Sequence, residues 1–197
     1  MNEKDPVPFD QAVWEVNNNA GREAARRGFA PEHLSGYYDL LLMQLMTMPS
    51  LTSTVGWQIY QRNPIIYCRR PIENGGEPRF LGCRTEWVQE EDLKRFSSPV
   101  SSLKHLNDLA PTMRFQSVEL GPEWLQSKQA ELRSVSIAPY VDSKIFGLDG
   151  VRYEITQSGF KTQSCFNWWC EGPVEWRPLT KIVLAMLDEL EDKMVTL

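Results

Sequence analysis

Near residue 172 the hydrophobic pattern of this chain changes period, and that change limits the folds open to it. Before it, 144–148, Asp149-Gly150 and 151–157 read as strand, two-residue type I′ turn and strand. Ser158-Gly159 then returns the chain into 160–169, predicting a three-stranded antiparallel meander over 144–169. Val151, Tyr153 and Ile155 fall on one face of it, and Arg152, Glu154 and Thr156 on the other. Glu171-Gly172-Pro173 ends the sheet. From Glu175 or Pro178 to about Asp192 the apolar residues recur as Leu179, Ile182, Val183, Met186, Leu187 and Leu190, the stripe of an amphipathic helix. A half-solvated sheet followed by such a helix buries both apolar surfaces if the helix lies on the meander near Trp168 or Trp169, and Trp176.

Upstream, 1–8 reads as a loose tail and 9–197 as a single globular domain, a size the 197-residue length allows. Residues 9–27 carry Val13, Trp14, Val16, Ala20 and Ala24 at helical spacing before Gly28, although Asn17-Asn18-Asn19 and Gly21 are poor helix formers. Pro31 then precedes Leu34, Tyr37, Tyr38, Leu41, Leu42, Leu45 and Met46, predicting a second helix apolar around most of its circumference. That girth leaves room for a homodimer. Segment 65–87 reads as a hairpin about Gly75-Gly76; residues facing each other then sum to 151, which sets Cys68 beside Cys83. Short helical or irregular pieces are expected at 90–96 and 101–109, a strand at 112–120, and a helix opened by Pro122-Glu123. Helices, then strands, then a helix, without βαβ alternation, give an α+β fold: hairpin 65–87 and meander 144–169 packed against N-terminal helices and the C-terminal amphipathic helix.

The N-terminus has no basic stretch leading into an apolar run, and 40–46 is far shorter than the roughly 20 residues that cross a bilayer, so a cytoplasmic protein without a membrane partner is expected. There Cys68, Cys83, Cys165 and Cys170 are free thiols; lacking a C-x-x-C pair, they give no expected zinc site or other metal or cofactor. Lys+Arg is 21 against Asp+Glu 26, a net charge of −5, which argues against nucleic acid as a partner despite Arg22, Arg26, Arg27 and Arg69-Arg70.

For catalysis the residues offer little. His33 and His105 are the two histidines, and no nucleophile elbow, metalloprotease motif, P-loop or dinucleotide fingerprint occurs. An enzymatic reading would need a cleft lined by Tyr37, Tyr38, Trp57 and His33. Binding is better served. Asp188, Glu189, Glu191 and Asp192 crowd the end of the last helix, where the macrodipole already disfavours negative charge, which points to a basic partner. Trp168 and Trp169 must face opposite sides of a regular strand, and Trp169 is the second candidate contact, since an exposed Trp anchors interfaces.

The segment 148–197 carries Leu148-Asp149-Gly150-Val151-Arg152-Tyr153, Trp168-Trp169, Gly172-Pro173, Glu175-Trp176 and Pro178-Leu179. This series resembles small bacterial cytosolic proteins, some of them predicted immunity proteins encoded beside antibacterial toxins. The resemblance implies a non-catalytic cytoplasmic module that binds a cognate protein, a toxin in its most specific form; an adaptor of a defence or secretion system is the neighbouring reading.

Overall fold

A computed structural model describes residues 11–28, 37–50, 52–64, 78–96, 110–138, 149–158 and 162–195. It is an α+β fold built on one six-stranded antiparallel sheet of order β4-β3-β2-β1-β5-β6. The strands are β1 (Tyr37–Pro49), β2 (Thr54–Pro64), β3 (Arg79–Trp87), β4 (Met113–Leu120), β5 (Val151–Ser158) and β6 (Gln163–Trp169). Helices α1 (Gln11–Arg27) and α2 (Gln89–Phe96) belong to one face, and α3 (Pro122–Ser134) and α4 (Arg177–Val195) to the other.

The largest departure from the sequence reading is the expected second helix, which is β1. Leu41, Met43, Leu45 and Met46 are strand residues paired with β2 on one side and, from Met43 onward, with β5 on the other. A strand covered on both faces by helices loses its apolar–polar alternation, so its greasy run looks the same as that of a buried helix. A bulge between Leu41 and Met43 also breaks the alternation by shifting the register. Met43, Leu45, Met46 and Met48 of that run are buried within the chain, while Leu40 is exposed.

Two pairings also change. Cys83 lies between Gln58 of β2 and Ser117 of β4, so its ladder positions are filled and Cys68 is not its cross-strand partner. Residues 65–77, with Cys68 and Gly75-Gly76, lie outside the described residues, as do 1–8, 29–36, 101–109 and 144–148. In the meander, β5 pairs with β6 as expected, but its other edge is taken by β1 rather than by 144–148. Elsewhere the expected helix over 9–27, the strand over 112–120 and the helices opening at 90 and 122 correspond to α1, β4, α2 and α3.

The α4 face holds the main core. Trp57, Ile59, Met43 and Leu45 of the central strands meet Leu179, Val183, Met186, Leu187 and Leu190 of α4. Fully burying each such side chain is worth about 1.5–3 kcal/mol, enough to fix the helix on the sheet. The opposite face is smaller and more polar. Ala25, Met46 and Met48 form its apolar cluster, Trp14 lies against Trp87 with centroids 5.8 Å apart, and Thr54, Gln58 and Thr85 are buried beside them.

Helix α1 docks there by backbone contact. A side-chain carbon placed on Gly56 would lie 2.3 Å from the Ala25 carbonyl oxygen, so the helix rests directly on β2. Its last carbonyls are capped by the sheet: Gln58 Nε2 donates to Ala25 O at 3.1 Å, and Gln44 Nε2 donates to Arg26 O. Gly28 follows at φ 68°, ending the helix in the left-handed conformation that glycine tolerates. Arg26 then reaches the buried Glu154 of β5 at 2.9 Å.

Gly56→Ala should therefore lower stability by about 1–3 kcal/mol, since the helix must be pushed off the strand, whereas Gly121→Ala at the exposed start of α3 should stay within about 0.5 kcal/mol of the native protein. Urea unfolding of the two variants, read as shifts in midpoint, checks the contrast.

Candidate functional site

An α-helix advances 100° per residue, so the four carboxylates of α4 cannot act alike. Measured from the fully buried Leu190, Glu189 and Glu191 flank the stripe, while Asp188 and Asp192 point away from it. The structure follows that geometry. Glu189 accepts from Trp124 Nε1 of α3 at 2.6 Å and from Lys128 Nζ at 2.7 Å. Glu191 accepts from Trp57 Nε1 of β2 at 3.0 Å and from Arg84 Nε of β3 at 2.9 Å. Arg84 is shared with Glu86 at 2.7 Å, and Lys128 with Glu131 at 3.2 Å.

Each of these two carboxylates thus satisfies one tryptophan N–H and one cation. Without it, Trp57, which is fully buried, would keep an unpaired donor under α4. Partial burial works to raise the Glu189 carboxyl, but its bonds to Lys128 and Trp124 outweigh that and hold it below the ordinary carboxylate range. Lys128, itself buried, is held above the ordinary ammonium value by its bonds to Glu189 and Glu131 despite desolvation.

Asp188 and Asp192 are exposed, one turn apart, with the exposed Leu184 one turn before them. The fixed inner side of α4 therefore presents an outer side that is apolar at one end and acidic at the other. Asp188 is also close enough to Tyr153 of β5 for its charge to join burial, the larger cause, and Cys170 in raising the phenol pKa.

Trp169 does not share this surface. It faces the side of the sheet opposite Trp168, half-buried against the turn at Gly150. Trp168 is 5% exposed and belongs to the α4 core, edge-to-face with Trp176 at 6.3 Å. The proposed site residues thus divide three ways: Glu189 and Glu191 anchor the helix, Asp188 and Asp192 face outward, and Trp169 sits apart.

Of the residues named for an enzymatic cleft, Trp57 is the one whose side chain the structure describes. Trp57 has no exposed surface and binds Glu191, whereas Tyr37 and Tyr38 are strand residues opposite Pro64 and Asn63. His33 and His105 lie outside the described residues. On the α1 face, Cys83 is 1% exposed, and burial pushes its thiol up to about 11, with Arg62 and Asp39 pulling in opposite directions. That thiol is protonated at neutral pH and is a poor nucleophile. Beside it Arg62 and Asp39 form a buried forked pair, 2.8 and 3.2 Å. Among the described residues no group of three or more His, Cys, Asp or Glu side chains could hold a metal ion, and no helix is long and apolar enough to cross a membrane.

The sequence reading missed Trp124, Lys128, Trp57 and Arg84 as partners of the acids. Only the inward-flanking positions of Glu189 and Glu191 signal such a role, and the partners come from three other elements. No family model, curated protein or solved structure matches the chain.

A carboxylate held below its unfolded value stabilises the fold fully above that value, 4.5 for Glu189, and loses its contribution as pH falls through the lower folded one. Glu189→Gln should therefore be less stable at neutral pH, by about 1 kcal/mol given its partial exposure, and should flatten the fall in stability between about pH 3 and 5. Urea midpoints across that range measure both effects.

Proposed function

We propose that this chain is a protein-binding module and, more specifically, a bacterial immunity protein that works in the cytoplasm by holding a cognate antibacterial toxin against its surface. The observation that carries the proposal is the outer side of α4, where Leu184, Asp188 and Asp192 are exposed in one line. Like charges one turn apart, near the negative end of a helix dipole, weaken the helix by a few tenths of a kcal/mol. A basic partner does gain from them.

Rigidity supports the same reading. Bonds from Glu189 and Glu191 hold α4 to α3, β2 and β3, so little freedom is lost when a partner docks on the outward side. Exposed carboxylates steer a basic protein during encounter, which raises the association rate more than it tightens the final complex. The resemblance of residues 148–197 to predicted immunity proteins supplies the identity of the partner class. Recognition then rests on Asp188 and Asp192 as steering charges and on Leu184 as the apolar contact.

Binding of the purified protein to the product of the gene adjacent to its own, followed by surface plasmon resonance, tests the proposal. Asp188→Lys combined with Asp192→Lys should slow association by about tenfold or more at low salt, with the difference shrinking as salt is added. Equal rates for variant and native protein would remove this surface, and absence of any complex or protection would remove the immunity reading.

A further inference from the structure

A hollow of about 130 Å³ opens between the end of α3, the β5–β6 pair and the start of α4, away from the outer side of α4. Its floor is the cross-strand pair Ile155 and Phe166, and Leu179 closes the α4 side. Leu132, Val135 and Ile137 form the remaining wall, partly exposed although apolar. The next cross-strand pair, Gln157 and Ser164, sets an amide and a hydroxyl at one end. Among the described residues no protein group hydrogen-bonds to either side chain.

The wall is held in place rather than collapsed. Trp176 Nε1 donates to Ala138 O at 2.9 Å, just beyond Ile137, and the same indole packs edge-to-face on Phe166 at 5.8 Å. A preformed hollow with apolar walls is a place where a ligand of matching size gains by taking that surface out of water. A dry cavity of roughly 150 Å³ takes up benzene, which sets the scale.

We infer that this hollow is a binding site for a small neutral molecule of about seven heavy atoms, an aromatic ring or branched aliphatic group bearing one hydroxyl. The ring would lie between Phe166, Val135 and Leu179, and its hydroxyl would bond to Gln157 and Ser164. A charged ligand is disfavoured, because none of the eight lining side chains is ionisable.

The test is thermal unfolding of the full chain with phenol, toluene or glycerol. Phenol should raise Tm saturably, by about 3–5 °C at roughly ten times its Kd, and glycerol should give no saturable shift. Val135→Phe, which fills the hollow, should abolish the phenol shift. Gln157→Leu combined with Ser164→Ala keeps the hollow while removing its polar end, and should reverse the preference from phenol to toluene; it serves equally if the filled variant does not fold. No saturable shift with phenol or toluene, or equal shifts in native and filled proteins, would overturn the inference. So would loss of protein-partner binding in Val135→Phe without any small-molecule shift, which would assign the hollow to a partner's side chain.

Discussion

The central strand β1 is apolar on both faces, and the rest of the architecture answers that constraint. A sheet with one solvated face would leave either Met43 and Leu45 or Met46 and Met48 in water. Helices must cover both sides, so α1 is drawn from before β1 in the sequence and α4 from the far end of the chain. Strands β2 and β5 flank β1, β5 from Met43 onward, which places β3, β4 and β6 outward toward the edges. The sheet is antiparallel throughout, yet its middle is buried as parallel sheets usually are.

Covering two faces produced two different contacts. Side chains interlock in the apolar α4 layer, and the tryptophans that fill it carry N–H groups that need acceptors. Trp57 and Trp124 find them in Glu191 and Glu189, so acids beside the apolar stripe are part of how that layer is built. The α1 layer works by backbone approach instead, with Gly56 admitting the helix and Gln44 and Gln58 receiving its terminal carbonyls. Gln44 and Gln58 are accommodated beneath α1 because they donate to a helix end that would otherwise keep orphan acceptors, whereas the buried Thr54 and Thr85 hydroxyls have no such bond.

Legibility in the sequence followed how local the determining contact was. Helix α4, the Pro122 helix and the end of α1 at Gly28 were readable because their signals are periodicity, a first-turn proline and a terminal glycine. Strand β1 was not, because burial on both faces and the bulge at Leu41 and Met43 erased the period of two. Pairing was least accessible. Summing residue numbers about Gly75-Gly76 set Cys68 beside Cys83, whereas Arg79 faces Arg62 across a connection that starts earlier. At the site, an angular reading of α4 separates the outward Asp188 and Asp192 from the flanking Glu189 and Glu191. No reading of one helix could supply Trp57 from β2 or Arg84 from β3.

The acidic balance of the chain takes on a different meaning once these bonds are placed. Arg26, Arg62, Arg79, Arg84, Arg114 and Lys128 each hold a carboxylate, so much of the positive charge is spent within the fold. Each pair cancels one acid with one base, so the net charge of −5 is unchanged by them, and Asp188 is among the exposed acids. Pairs on the surface contribute little to stability. The field of Asp188 and Asp192 is supported on a helix whose inner side cannot turn without breaking two tryptophan bonds. Under the proposed binding role, fixed charge on a fixed helix would offer a partner orientation as well as sign to read.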